Sequence, residues 1–343
     1  MKKKVLAFLL ASTMIIEPFT VASAADFSDG MGQDTVQFSD DVEDVPEVEN
    51  DEVDQFGTDA VDEGEESTET HVKIGDKVWV DFDDSTETAT ISGTGAMWDF
   101  YIDGWDAKKE HKNPFIDKDG IKYIKISDKI TSVSDYLLYG SSNYEIQSIS
   151  LGKDIERIGA YAFAYCNNLS SVILPDTLIE IGKNSFENAG IKNLNIPQNV
   201  KIWGESSFSG CSSLVSVSLP DTLTKIPENC FNGCQNLNSI KIPDNVSYIG
   251  DCAFAGCLSL EEINIPIYLR NEPSMLFEGC LRLKKVNFAK SYNGNISQRM
   301  FLNCSDLESI EIPNGTNRIL WKAFSGCTKL TYCATSNKLC ENL

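Results

Sequence analysis

Histidine is nearly missing from this sequence: 343 residues contain two, His71 and His111. Neither stands beside a Ser or Cys in a nucleophile-elbow or papain-like context, which removes the common hydrolase arrangements built on an imidazole base. Metalloprotease helix motifs, Walker-type phosphate loops and dinucleotide fingerprints are missing too, and the lone Gly93-Thr94-Gly95 reads as a turn. Asp and Glu are plentiful, but no pair is set apart for general acid–base work. Lys and Arg number 29 against 51 Asp and Glu, for a net charge of −22, and they form no basic patch. Nucleic acid is therefore excluded as a partner. Beyond the first residues no apolar run approaches the roughly 20 residues that a bilayer span requires. The sequence thus points to a chain that is not an enzyme, binds no metal or cofactor and carries no internal membrane span.

The ends read differently from the middle. Lys2, Lys3 and Lys4 precede the apolar run Val5–Ile16, and Ala22-Ser23-Ala24 supplies the small residues of a cleavage site, so residues 1–24 are expected to be a secretory leader. The mature chain is then secreted or at the cell surface. Residues 25–70 form an acidic segment: Asp26 to Thr70 hold 18 acidic residues and no Lys or Arg. Such a stretch buries too little apolar surface to offset its ordering entropy, and is expected to be a disordered linker. It also accounts for most of the acidity, since the remainder after the leader and linker carries about −6.

Internal periodicity decides the fold. A phrase resembling AFxGC recurs with its aromatic at Phe163, Phe186, Phe208, Phe231, Phe254, Phe277, Phe301 and Phe324, every 22 to 24 residues. Three residues on stands Cys166, Cys211, Cys234, Cys257, Cys280, Cys304 or Cys327, and three further on a Leu, with Ala189 and Ile191 in those slots of the second, shorter copy. Short alternating strands follow and end at Pro175, Pro197, Pro220, Pro243, Pro266 and Pro313. Proline is tolerated at a strand's end, where its missing N–H interrupts no ladder. A second apolar pair, such as Leu178 with Ile181 or Val246 with Ile249, precedes Gly182 or Gly250, where the chain is expected to turn. Each copy is one coil with an inward apolar ring, and only stacked coils bury that ring. The period places the array among leucine-rich repeats: a curved, mostly β solenoid over residues 121–343, with short parallel strands on one face and turns and short helical segments on the other.

The phrase IPDNVSYIGDCAFAGCLSLEEINIP resembles the BspA-like, or Treponema-type, leucine-rich repeat, and the resemblance covers about residues 121–333. It implies a secreted or surface-exposed bacterial protein, with adhesion to host matrix proteins or to other bacteria among the roles of the family.

Residues 71–120 lie outside the repeat. Val78–Phe82 and Thr88–Ile91 alternate like strands around Asp83-Asp84-Ser85, and the aromatic-rich hairpin suits a small β cap over the first coil's bare apolar face. The repeat-slot cysteines read as an inward thiol column, since their spacing fits neither a zinc motif nor a disulfide framework. Four cysteines lie off that register, and Cys230 with Cys252, and Cys333 with Cys340, are candidates for disulfides.

What remains for recognition is the outward side of the strands. Ser171, Asn193, Asn195, Ser216, Ser218, Ser239, Lys241, Glu262, Asn264, Lys285, Asn287, Ser309 and Glu311 align there in two rows, with Ile173 among them. Repeat solenoids use such faces for binding, and the expected function is protein–protein or adhesive contact with an extracellular protein or glycan. The alternatives from the sequence are a structural envelope spacer with no specific ligand, and a glycan-binding or hydrolase accessory role for residues 71–115.

Overall fold

The computed structural model describes residues 70–101, 111–116, 118–139, 145–266, 269–289 and 292–334. The expected leader, the acidic segment before Thr70, and Cys340 lie outside the described residues.

Each coil has three sides. The first carries the alternating strands: Tyr123–Ile126, Ser148–Ser150, Asn193–Asn195, Ser216–Ser218, Ser239–Ile240, Glu262–Ile265, Lys285–Phe288, Ser309–Glu311 and Tyr332–Ala334. They fall into four sheets, and within each sheet neighbours on this side pair in parallel, with Val217 opposite Leu194 and Ile240, so equivalent residues of successive coils stand beside one another. Ser171–Ile173 keeps the alternation, with Val172 and Leu174 buried, but is not bonded as a strand. A proline-led turn, as in the Leu223 N–H donating to the Pro220 carbonyl at 3.0 Å, leads into the second side. This is a ladder of shorter strands: Ile130–Val133, Arg157–Ile158, Glu180–Ile181, Ile202–Trp203, Lys225–Ile226 and Tyr248–Ile249.

The third side corrects one expectation. The described residues contain no α-helix there or elsewhere, and the AFxGC phrase is a run of turns. Its N–H groups donate to the next coil instead of back along their own. Phe186 donates to Ser207, Phe208 to Cys230, Phe231 to Ala253 and Phe254 to Leu276, all at 2.9–3.1 Å. The residues two before and two after each Phe from Phe163 to Phe301 donate across in the same way, and both are left-handed: φ is 53° at Asn229 and 74° at Gly233 around Phe231. A right-handed helix admits no such residues and needs these N–H groups for itself. Gly fills the later slot in five copies, at Gly210, Gly233, Gly256, Gly279 and Gly326, because it takes positive φ without steric cost. Tyr136, Tyr161 and Tyr165 adopt positive φ as bulky side chains, and their rings join Tyr139 in one cluster with Tyr136 stacked on Tyr161 at 5.2 Å.

Inside the coils the phenylalanines form a spine. From Phe163 to Phe324 consecutive rings lie 5.3–5.9 Å apart, and all but the first pair are nearly parallel. Leu, Ile and Val from the first two sides complete the core, and the rings from Phe163 to Phe301 are fully buried.

Gly182 and Gly250 are needed for close approach, not for a left-handed turn. A Cβ on Gly250 would sit 2.3 Å from the Glu228 nitrogen, and one on Gly182 would sit 2.5 Å from the Gly159 carbonyl carbon.

The N-terminal hairpin continues the solenoid's own sheet. Val78–Asp83 pairs antiparallel with Thr88–Gly93, and His71–Gly75 adds a further antiparallel strand outside it. Asp83 closes the hairpin by accepting from the Ser85 N–H and hydroxyl and from the Thr86 hydroxyl. Thr88–Gly93 then pairs in parallel with Tyr123–Ile126, and Gly95–Ala96 pairs with Ile130–Val133. Residues 88–96 thus already run as a coil, and only the first two strands turn antiparallel to close the end. Both histidines serve here: His71 stacks on Trp79 at 4.7 Å and His111 on Trp98 at 4.0 Å.

Close approach predicts a mutational asymmetry. Gly250→Ala should lower stability by about 1–3 kcal/mol through overpacking of coil backbones. Gly233→Asn should leave the melting temperature nearly unchanged, because Asn188 and Asn303 occupy the same left-handed slot in other coils. Thermal melts of the two variants beside the parent check both expectations.

Candidate functional site

Every expected face residue lies on the outer side of the first ladder. Ser171, Asn193, Asn195, Ser216, Ser218, Ser239, Lys241, Glu262, Asn264, Lys285, Ser309 and Glu311 are exposed and Asn287 is half-buried, while the alternate residues between them are buried. Parallel pairing in register brings them into two rows, with Asn193 beside Ser216 and Ser239, and Asn195 beside Ser218.

The two ends of the face differ in what their side chains do. Over residues 262–287 they bond to each other across coils. Lys285 pairs with Glu262 at 2.9 Å, and Asn287 donates to Glu262 and Asn264 at 2.7 and 2.8 Å. These donors hold the exposed Glu262 carboxyl below its ordinary value, the Lys285 and Asn287 hydrogen bonds being the main cause. Beside them Glu261 takes both Lys284 and Arg282. Nearer the N-terminus, Ser216 donates to Asn193 at 2.7 Å and Ser239 to its neighbour Asn238. Ser171, Asn195, Ser218, Lys241, Ser309 and Glu311 make no side-chain hydrogen bond among the described residues, so their polar groups face solvent. Ile173 stands among them, 86% exposed.

A shallow depression of about 520 Å³ lies along this face, walled by Lys285, Asn287, Ser309 and Glu311 and closed at its end by Pro313 and Asn314. A second, of about 410 Å³, lies off the face beside the second ladder, between residues 198–203 and 222–225. The sequence reading missed it. Its signals were two departures from the repeat, Trp203 where most coils carry Ile and Pro227 where four others carry Gly.

The cysteine column is inward, and its thiols are hydrogen-bonded. From Cys211 onward each Sγ donates to the carbonyl of the Phe one coil earlier: Cys211 to Phe186, Cys234 to Phe208, Cys257 to Phe231, Cys280 to Phe254, Cys304 to Phe277 and Cys327 to Phe301, at 3.1–3.3 Å. That carbonyl also accepts the N–H of the Cys in its own coil, as in Cys211 to Phe208 at 3.3 Å.

The disulfide proposed between Cys230 and Cys252 is not formed; both are free thiols. Cys230 stands one residue before its Phe and is buried, its Sγ 3.6 Å from the Ser207 hydroxyl. Cys252 stands two before, at a left-handed corner with φ 55°, and is half-buried. For the other candidate pair, Cys333 lies in the strand paired with Ser309–Glu311, and Cys340 is outside the described residues.

On the second side, Arg157 gathers Asp99, Asp135 and Glu180 at 2.5–3.4 Å, and the Asp135 N–H donates to Asp99, which ties the N-terminal region to the coils. No group of His, Cys, Asp and Glu suited to a metal occurs among the described residues.

The stacked coils, the buried phenylalanine spine and the parallel outer strands define a leucine-rich-repeat solenoid. A family model described as the BspA type leucine-rich repeat region matches residues 111–215, 142–246 and 201–331, and the chain belongs to that family. Solved structures similar to the chain include a leucine-rich repeat protein from Eubacterium ventriosum, 20% identical, with 77% of this chain and 84% of that one covered and a TM-score of 0.47. A leucine-rich repeat protein from Bacteroides ovatus is 22% identical over 75% of this chain and 87% of its own, with a TM-score of 0.41. A leucine-rich cell surface protein from Faecalibacterium prausnitzii is 19% identical over 80% and 96%, also with a TM-score of 0.41. No curated protein matches the chain.

Burial makes the thiols weak acids. Those of Cys211 and Cys280 are pushed up to about 12 by desolvation, and Cys234, Cys257 and Cys304 go well above the ordinary value for the same reason. A folded-state pKa above the unfolded one contributes stability that is complete below the unfolded value, near 9, and is lost as pH rises from there toward 12. Each such thiol should steepen the alkaline loss by about 1.4 kcal/mol per pH unit. The melting temperature should therefore hold between pH 7 and 8.5 and fall steeply above 9. In a Cys234→Ala/Cys257→Ala variant it should start lower at pH 7 and fall less steeply, which a pH series of melts for the two proteins would measure.

Proposed function

We propose that this chain is an extracellular recognition protein that contacts its partner through the exposed side of the first ladder, over residues 171–241. One observation carries the reading: this stretch combines in-register outward rows with polar side chains that the fold does not use. The turn side spends its groups on coil-to-coil bonds and the interior is apolar, so neither offers comparable free chemistry. Rigid repeat surfaces of this kind bind through many modest contacts spread over successive coils, with little conformational cost on binding.

The bonded rungs over residues 262–287 favour a structural role there, because a partner would have to displace Glu262–Lys285 and Glu262–Asn287 before making contacts of its own. The leader-like start and the family resemblance support placement outside the cell, and the partner is an extracellular protein or a glycan presented by a host or another bacterium. The chain performs no chemistry of its own in this reading.

The test is a triple substitution, Ser216→Glu, Ser239→Glu and Lys241→Glu. All three positions are exposed, so the variant should melt within a few degrees of the parent. It should lose saturable binding to whichever component of a panel of matrix proteins, mucin glycans and bacterial envelopes the parent recognises. Unchanged affinity would move the contact off this face, and binding of the parent to nothing in the panel would favour a structural spacer.

A further inference from the structure

The turn side spends its backbone on coil-to-coil bonds, but in its first two coils the side chains form a layer that stacking does not require. Farther along, the slot two residues before each Phe holds small residues such as Asn184, Ser206, Asn229 and Cys252. Here it holds Tyr161, and Tyr136 stands two before Leu138, which fills the Phe slot of its coil. The slot two residues after holds Gly in five coils and Asn in two, but Tyr165 here. Tyr165 has φ 63° and Tyr161 55°, a backbone that glycine adopts freely and a bulky side chain does not. The interior gains nothing from these rings, because Leu138 and Phe163 already fill it. Tyr136 stacks on Tyr161 at 5.2 Å, and Tyr139 meets Tyr136, Tyr161 and Tyr165 at 67–79° and 5.4–6.0 Å.

Tyr165 is the open member of the layer. It is 39% exposed, and its one ring neighbour, Tyr139, covers at most one of its two faces. Beside it, one coil on, stands Glu187, whose carbonyl accepts the Tyr165 N–H at 2.7 Å. The Glu187 carboxyl is half-buried and takes a single hydrogen bond, from Asn184 Nδ2 at 2.9 Å. No cation pairs with it among the described residues, and the neighbouring Lys183 is held by Glu205 at 3.0 Å. Burial raises this carboxyl above its ordinary value. Burial, and then the Glu187 charge, push up the Tyr161 and Tyr165 phenols, so the carboxylate lies within electrostatic reach of both.

We propose that this layer docks an arginine side chain of a protein partner, on a different side of the coils from the first-ladder face and independently of it. The face of a phenol ring is electron-rich and attracts a cation. A guanidinium is planar, so it lies flat on the open face of Tyr165 while its N–H fork turns to the Glu187 carboxylate. A half-buried carboxylate without a counter-ion is stabilised by receiving one. Other occupants fit less well. The rings touch one another at 5.2–6.0 Å and enclose no cage for a tetrahedral ammonium ligand. A neutral sugar would leave Glu187 unpaired. A lysine is a compact, strongly hydrated charge and lacks the flat surface that serves ring and carboxylate together.

Tyrosine-selective NMR of the full chain, titrated with a capped Gly-Arg-Gly-Arg-Gly peptide and its lysine and citrulline counterparts, tests this. Residues 26–70, whose acidic groups attract any cation, contain no Tyr, so the signals report on the cluster and not on that segment. The Tyr139, Tyr161 and Tyr165 signals should shift saturably with the arginine peptide. The lysine peptide should bind at least threefold more weakly, and neutral citrulline should not saturate. Tyr165→Gly installs the residue that five coils carry in this slot, so its melting temperature should not fall. Its Tyr139 and Tyr161 signals should nevertheless need at least fivefold more peptide. Glu187→Gln keeps an oxygen for Asn184 and should weaken binding by a similar factor. The Ser216→Glu/Ser239→Glu/Lys241→Glu protein should bind the peptide as the parent does, which separates this site from the face. No saturable shift, an equal response to lysine or citrulline, or undiminished affinity in either cluster variant would overturn the proposal.

Discussion

On the turn side of every coil, backbone N–H groups donate across to the next coil, and the rest of the structure adapts to the spacing this sets. Three alternate residues around each Phe from Phe163 to Phe301 donate this way, which requires two of them to be left-handed and forbids a helix. The resulting rise brings phenyl rings within 5.3–5.9 Å of one another, a distance at which offset stacking is favourable, and packs the coil backbones so closely at Gly182 and Gly250 that a methyl group does not fit. It also leaves each Phe carbonyl with a second lone pair facing the following coil. A thiol is small and apolar enough to enter that space and still donates a weak hydrogen bond. The cysteines are therefore part of the stacking, and burial keeps them protonated.

Such a stack is stabilised coil by coil through contacts with its neighbours, so its ends need separate treatment. At the N-terminal end the hairpin solves this within the same sheet: residues 88–96 run as a coil, and two antiparallel strands then close the edge. Arg157, with Asp99, Asp135 and Glu180, fastens this region laterally, and the two histidines serve as aromatic partners for tryptophans. Residues that in a compact enzyme would invite a catalytic reading are here occupied in closing the stack.

The proposed contact uses what the stack leaves unused. The outward side chains of the first ladder are free of packing duties, and across residues 171–241 many are free of hydrogen bonds as well. The depression beside the second ladder lies where the repeat departs from itself. In an array whose coils are nearly interchangeable, Pro227 leaves one position of the second ladder without a donor, while the same proline at residue 273 is mended by Asn271. Departures from a repeat therefore mark individuality in a way that the shared positions do not.

The sequence by itself determined the solenoid, its phase and its inward and outward residues. A 23-residue period with Phe, Cys, Leu and Pro in constant slots admits few other ways to bury the apolar groups, and strand alternation sorts Ser216 and Ser218 from Val217 without reference to any partner strand. Only the tertiary structure decided what depends on contacts between coils. The turn side is non-helical because its N–H groups find acceptors 22 to 24 residues away, which local propensity does not register. Gly250 is required by the Glu228 backbone beneath it, not by its own φ. Cys230 is buried and Cys252 stands half-buried at a left-handed corner, and both are free thiols. The ion-paired stretch of the face and the depression beside Trp203 likewise appear only once neighbouring coils are stacked, since each is a relation between residues about one repeat apart.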